Sequence, residues 1–361
     1  EALQMAETAR RAFVFTAVAV VVVAGALALW KLRLLIALLF LAFIVAAAMR
    51  PGVDRMSRRH IPRPLGVAVQ YAALFAVIGL LLWAVVPRAT EQVREAVAGL
   101  PGSSSEIRQK AEESSGLERE LLVGLQRWLE DLPSGSELVD PALEAGILGF
   151  EILIGIFFVL ATAAYWIFER DTAVRLFTSL LPAAQRKVAR DTWDLIDLKL
   201  GAYVRGQALL ILLVGTVLSL LFWAIGLPYW LLIGAFAGVV EIVPVIGPLA
   251  AGTVAVGVGL TDSWQVGVAA GITVLVVRLA EDYLVIPRVL GGAVGMSPLI
   301  VLVAITGTAI LFGEFAVLLA VPIAAVAATL VEVLLLEKDP ADEDVPTVLF
   351  PAKEAEPAGR R

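Results

Sequence analysis

The chain has 361 residues, of which 60% are hydrophobic and 17% charged, and its formal net charge is −6. Such a low charged fraction with long apolar runs excludes a water-soluble globular protein and indicates an all-α polytopic membrane protein. Without cysteine and with a single histidine, disulfides, thiolate chemistry and histidine-based metal or catalytic clusters are excluded. We therefore expect no cofactor, no metal and no enzymatic activity, and no motif indicates nucleic-acid or nucleotide binding.

Residues 1–87 contain three apolar runs, at 12–29, 34–49 and 65–86, which we predict to span the membrane as helices. The loop at residues 50–64 is strongly basic, so the positive-inside rule places it in the cytoplasm. Its basic side chains are Arg50, Arg55, Arg58, Arg59 and Arg63, against the single acid Asp54.

Residues 88–144 form a polar, acidic insert with 12 acidic and six basic side chains. Leucines and a tryptophan at three-to-four spacing between residues 117 and 132 predict an amphipathic helix within it. A polar insert of this kind is translocated readily, so we expect it outside the cytoplasm. A solvated cap that packs on its neighbours is favoured over a ligand-binding domain.

Residues 145–336 are predicted to be the transport core. The remaining spans are predicted at residues 145–168, 208–226, 264–285, 299–311 and 315–336, with a cytoplasmic amphipathic segment at residues 169–205 and a disordered cytoplasmic tail at 337–361. About eight spans place both termini in the cytoplasm. Lys31 and Arg33, between the first two spans, then face outward and fit the positive-inside rule poorly.

Residues 229–260 are apolar yet interrupted, and they are central to the prediction. Glu241, Pro244, Gly247 and Pro248 stand within eight positions of one another, and proline prevents a continuous helix. Each half is too short for a comfortable crossing, which predicts a re-entrant hairpin of two half-helices. The alternative is a loop that joins two short, tilted spans and leaves Glu241 at the membrane interface.

Ionisable side chains at membrane depth are candidate functional residues because their burial costs free energy. Glu241 lies beside the predicted break, where it could take a proton or coordinate a cation together with freed carbonyl groups. Helical spacing places Arg278 on one face with Glu281 and Asp282, so these three can neutralise one another. A purely structural ion cluster at the headgroups is equally consistent with that spacing. The small-residue pairs Gly234/Gly238 and Gly267/Gly271 predict close helix packing.

Five motifs, in this order and spacing, resemble the AI-2E transporter family, which is related to the bacterial autoinducer-2 exporter. They are RxxIPRP at residues 58–64, YVRGQ at 203–207, EIVPVIGPLAAG at 241–252, the run from ED to IPRVLGGAVGMSPL at 281–299, and AVPIAA at 320–325.

The resemblance implies an eight-span protomer with a re-entrant hairpin, an external insert and homo-oligomeric, pentameric assembly in the bacterial inner membrane. It further implies export of small polar signal molecules used in quorum sensing, or cation/proton antiport. Asp282 stands where the family commonly has an amide, and an added acid favours cation coupling.

We therefore expect a secondary transporter that exports small polar, autoinducer-2-like molecules by alternating access. A Na⁺(K⁺)/H⁺ antiporter is the alternative, and a non-transporting membrane scaffold is an alternative of another class. Substrate or ion is expected to meet Glu241, Pro244, Gly247, Pro248, Arg278, Glu281 and Asp282, with Tyr203, Arg205, Gln207 and Arg288 at the inner mouth.

Overall fold

A computed structural model describes residues 2–98, 139–244, 246–289, 297–341 and 343, and in these ranges every regular element is helical. The helices are α1 (Ala2–Lys31), α2 (Arg33–Arg58), α3 (Arg63–Ala98), α4 (Val139–Ser179), α5 (Arg186–Ala224), α6 (Trp230–Val240), α7 (Ile246–Asp262), α8 (Trp264–Ala280), α9 (Pro298–Phe312) and α10 (Ala320–Leu334). Short 3₁₀ segments (Ala183–Gln185 and Glu314–Leu319) precede α5 and α10, and a π-helical turn (Glu281–Val285) followed by one α-helical turn (Ile286–Val289) extends α8.

Six helical segments are long and apolar enough to cross a membrane, and they lie in α1 to α5 and α10. The helices α6, α7 and α9 are apolar but shorter. An all-α polytopic membrane protein is therefore confirmed. The predicted number of about eight spans stays a prediction.

Several helices extend beyond the predicted spans. The helix α2 continues through Pro51 to Arg58, so much of the predicted basic loop is helical. The helices α4 and α5 have 41 and 39 residues. At about 1.5 Å per residue, each is roughly 60 Å long, about twice the hydrocarbon thickness. Their polar ends make up most of the segment at 169–205, which is a continuation of two membrane helices.

The predicted insert and tail lie largely outside the described residues. Residues 88–98 continue α3 and residues 139–144 begin α4, whereas the amphipathic pattern at 117–132 falls outside the described ranges. Of the tail, the structure describes residues 337–341 and 343.

The helix α5 connects the packed clusters of the protein. One cluster joins α5 to α6, α7 and α8 through Phe222, Ile233, Ala251 and Ala270, which are all buried. Further clusters join α5 to α9 and α10, and to α2. A separate apolar cluster holds α2, α3 and α4 together.

Glycines allow the short helices to approach their neighbours closely. A Cβ atom on Gly238 of α6 would lie 2.8 Å from both Gly215 Cα and the Ile211 carbonyl oxygen of α5. A Cβ atom on Gly259 of α7 would lie 2.7 Å from Gly267 Cα of α8. The predicted close packing at Gly234/Gly238 and Gly267/Gly271 is confirmed: a Cβ atom on Gly234, Gly238 or Gly267 would lie less than 3.0 Å from a neighbouring helix, and one on Gly271 would lie 3.1 Å from the Val256 side chain.

We predict that Gly238→Ala destabilises the purified protein by about 1–2 kcal/mol, since overpacking against rigid backbone outweighs the helix propensity of alanine. The matched control is Gly257→Ala in α7, where a Cβ atom would have no neighbour within 4 Å. Denaturant unfolding of both variants is the measurement. Equal stability of the two would contradict the proposed contact between α5 and α6.

Candidate functional site

The helix breaks where the prolines predict. The helix α6 ends at Val240, a tight turn follows through Pro244, and α7 begins at Ile246. Gly247 lies so close to the Val240 carbonyl that any Cβ atom there would clash with it. Pro248 lies in the first turn of α7, where its missing N–H costs no helical hydrogen bond. We call the segment 241–244 the tip.

The tip contacts the middle of α5 through a side-chain hydrogen bond. Gln207 donates from Nε2 to the backbone carbonyl of Glu241, with a distance of 2.9 Å. This carbonyl belongs to the segment in which the helix stops, so it needs an external donor. Gln207 is itself buried, and the bond therefore supports the broken backbone in an apolar environment.

The Arg278 guanidinium lies between three carboxylates. Its Nη1 is 3.3 Å from Glu241 Oε1 and 3.2 Å from Glu281 Oε2, and its Nη2 is 2.9 Å from Asp282 Oδ1. The spacing along α8 predicts the pairing with Glu281 and Asp282, which is observed. Glu241 joins the cluster from the tip, 37 positions away along the chain. We call Glu241, Arg278, Glu281 and Asp282 the acid cluster.

Two of the acids meet the same donor. Arg278 Nη1 lies 3.3 Å from Glu241 Oε1 and 3.2 Å from Glu281 Oε2, so the two carboxyl groups lie beside each other. Their side chains are 7% and 3% exposed. Two ionised carboxylates have no proton to share, so a hydrogen bond between them requires one to be protonated. Glu281 Oε1 is buried and has no hydrogen-bond partner among the described residues.

The backbone is irregular at these acids. The α-helical part of α8 ends at Ala280, and a π-helical turn covers Glu281–Val285. Single π-helical turns within α-helices often occur at functional sites. Here the irregular turn carries one fully buried acid, Glu281, next to Asp282, whose side chain is 41% exposed.

The predicted inner-mouth residues separate in the structure. Gln207 reaches the tip, whereas Tyr203 is buried in the apolar cluster of α5, α9 and α10. Arg205 donates from Nη1 to the Ala48 carbonyl of α2, at 3.1 Å. Arg288 is exposed, and within the described ranges no hydrogen bond or ion pair joins it to the acid cluster.

A second ionic network, absent from the sequence-based prediction, connects α2, α4 and α5. The guanidinium of Arg170 donates to Asp197 at 2.8 Å and contacts Asp194. Arg50 reaches the same Asp197 oxygen at 3.3 Å and Asp171 at 3.6 Å. In the sequence, these residues lie in segments where acidic and basic side chains are interspersed. This pattern is also typical of a solvated surface, so it did not indicate a buried network.

The start of the tail also contacts α5. Lys199 is buried and its Nζ lies 2.8 Å from Glu343 and 3.5 Å from Glu332 of α10. Thr329 accepts a further hydrogen bond from the same ammonium group. The described part of the tail is therefore attached to Lys199 of α5 and, through Lys338, to Glu332 near the end of α10.

Comparisons with known proteins agree with this architecture. The model of the AI-2E family transporters matches residues 17–336. YrrI of Bacillus subtilis is 26% identical over 304 residues, which cover 80% of this chain and 83% of the relative. YueF of the same species is 27% identical, with 76% and 77% covered, and a Mycobacterium tuberculosis relative is 28% identical, with 91% of each chain covered. All three relatives are described as transport proteins by inference, and their names state no substrate.

We predict that Arg278→Gln destabilises the protein by about 3 kcal/mol, because it leaves two buried carboxylates without a counter-charge. Adding Glu281→Gln to this variant should recover part of the loss. Arg288→Gln, an exposed position with the same change, should stay within about 0.5 kcal/mol of wild type. Denaturant unfolding measures all three, and no loss in Arg278→Gln would contradict an ionised cluster.

Proposed function

Because the chain belongs to the AI-2E transporter family, we propose that it is a proton-coupled secondary transporter that exports small polar molecules of the autoinducer-2 type. The observation that carries the coupling is the acid cluster at the broken helix. Three carboxylates there face one guanidinium.

Charge balance gives the cluster a reason to exchange protons. With every acid ionised, three negative charges oppose the single positive charge of Arg278. A net negative charge at a buried site is costly, and proton uptake by Glu241 or Glu281 reduces it. The two buried carboxyl groups both lie within 3.3 Å of Arg278 Nη1, and this proximity favours a state in which they share one proton.

The arrangement of α6 and α7 supports a re-entrant hairpin. The first turn of α6 contacts the far end of α3, where the Leu232 N–H donates to Gln92 Oε1 at 3.3 Å. The other arm, α7, ends against the start of α8 at Gly259 and Gly267. Both arms pack closely on neighbouring helices, whereas the tip between them is held by polar contacts and by Val243, which packs against the apolar cluster of α5, α9 and α10.

In this proposal the tip is the part that moves during alternating access. Protonation of Glu241 weakens its attraction to Arg278 and releases one of the contacts that hold the tip. The tip, supported otherwise by Gln207, could then expose the acid cluster to the opposite side of the membrane. On this proposal, solute and proton share one pathway beside α5 and α8, and both termini and the basic segment at residues 50–64 face the cytoplasm.

A Na⁺(K⁺)/H⁺ antiporter is the second candidate, and Asp282 favours it. Asp282 adds a carboxylate that is 41% exposed beside the two buried acids. A partly solvated carboxylate next to freed backbone carbonyl groups offers hard oxygen ligands for a small cation.

The test is proton flux in proteoliposomes that carry an internal pH dye and an imposed pH, Na⁺ or K⁺ gradient. We predict that Glu241→Gln and Glu281→Gln each reduce coupled proton movement to the level of empty liposomes while the protein still folds. Glu151→Gln is the matched control, because Glu151 is an exposed acid on α4 and should keep wild-type flux.

The outcomes separate the candidates. Proton movement that requires Na⁺ or K⁺ supports the antiporter, and proton movement that requires a labelled polar solute supports coupled export. Wild-type proton flux in Glu241→Gln would contradict the assignment of the cluster. If neither protons nor solutes move in the wild-type protein, the scaffold alternative replaces both.

A further inference from the structure

A large apolar groove lies on the face of α5 that carries Val188, Thr192 and Trp193, away from the acid cluster. Its volume is about 1000 Å³, at the upper end of the range for small-molecule sites. Residues of α2, α4, α5 and α10 form its walls. Its aromatic wall consists of Phe40, Phe43, Trp166, Phe177 and Trp193.

The aromatic wall is a preformed surface with one unused polar group. The ring centroids of Phe43 and Trp166 are 5.1 Å apart, and those of Phe43 and Trp193 are 5.9 Å apart, both edge to face. Trp193 Nε1 is buried and has no hydrogen-bond partner among the described residues. An indole N–H in such a site normally has an acceptor, so the groove lacks one hydrogen-bond acceptor.

One basic side chain lies beside the mouth of the groove. Leu181 and Gln185 line this end, and the neighbouring Arg186 is held there by two carbonyl groups. Its Nε donates to the Leu181 carbonyl at 3.0 Å, and its Nη2 donates to the Ser179 carbonyl at 3.1 Å. Both partners are carbonyl groups, so neither neutralises the charge of the guanidinium.

We propose that this groove binds an anionic phospholipid from the surrounding bilayer. An acyl chain would lie along the aromatic wall, an ester carbonyl would accept from Trp193 Nε1, and the phosphate would lie at Arg186. Along the groove, the apolar wall is followed by the Trp193 N–H donor and then by the cationic Arg186. A phospholipid has its acyl chain, ester carbonyl and phosphate in the same order. Basic pockets between membrane helices at the cytoplasmic side commonly bind such headgroups.

Charge complementarity selects the occupant. A zwitterionic lipid satisfies the apolar wall equally well but gains little from the charge of Arg186. A second copy of the chain could cover the wall, yet an apolar helix would leave both the Trp193 N–H and the Arg186 charge unmatched. The inference is independent of the transported solute, since it requires only that the protein lies in a membrane.

The experiment uses the full-length protein labelled with 5-fluorotryptophan in phosphatidylcholine nanodiscs, observed by ¹⁹F NMR. Trp193→Phe assigns the resonance of this residue. We predict that added phosphatidylglycerol shifts the Trp193 resonance saturably, whereas the same amount of extra phosphatidylcholine does not.

Two variants test the two ends of the groove. Arg186→Gln should raise the phosphatidylglycerol concentration at half-saturation about fivefold, the effect of one basic side chain at an anionic lipid. Ala189→Phe, which fills the groove without a change in charge, should abolish the shift. Arg59→Gln and Ala72→Phe, both at exposed positions elsewhere, are the matched controls and should behave as wild type. The other tryptophan resonances report whether each variant is folded.

A shift of equal size with phosphatidylcholine, or a wild-type response in both Arg186→Gln and Ala189→Phe, would overturn the proposal. A Trp193 resonance that depends on protein concentration and ignores lipid would also overturn it, and would assign the groove to an interface between copies. Loss of lipid response with normal proton flux would leave the proposed transport function intact.

Discussion

A helix that stops inside an apolar environment must have its backbone polar groups satisfied by the protein, and this constraint shapes the core of the molecule. Pro244 interrupts the most apolar part of the chain, and the carbonyl at Glu241 is satisfied by Gln207 of α5. The arms α6 and α7 are short, and glycines let them pack against α5 and α8. The break is therefore held by close helix contacts on its arms, and by polar contacts and the packing of Val243 at its tip.

The same break in the helix brings the charged side chains of the acid cluster together. The tip brings Glu241 to a guanidinium that already has two acids of its own helix nearby. One cation cannot balance three carboxylates, so the site is short of positive charge when all acids are ionised. A proton or a small cation restores the balance, which gives the site a link between ion binding and the position of the tip.

Much of the architecture could be predicted from local patterns. Proline located the break, helical spacing located the pairing of Arg278 with Glu281 and Asp282, and small residues located the close helix contacts. The contact between Glu241 and Arg278 could not be derived in this way, because it depends on how α6 and α8 meet in space. Of the predicted inner-mouth residues, Gln207 contacts the tip and Arg205 binds the backbone of α2, and their role in transport stays a prediction.

Charged and apolar surfaces outside the core were harder to interpret from sequence. In the sequence, Arg50, Arg170 and Asp197 look like solvated charges at the cytoplasmic side of the membrane. Only the fold shows that they form ion pairs that connect three helices. The aromatic groove had no signal at all, because apolar side chains dominate every membrane helix. Which of them face a cavity depends on helix rotation and crossing, and the ends of α4 and α5 extend further than hydropathy alone predicts.

Infrared spectroscopy of the protonated carboxyl group tests the central claim most directly. If Glu241 and Glu281 share a proton, the wild-type protein at neutral pH should show the C=O absorption of a protonated carboxylic acid. Glu241→Gln or Glu281→Gln should remove it, and Glu151→Gln should leave it unchanged. Absence of this band in the wild-type protein, or its persistence in both cluster variants, would contradict the account.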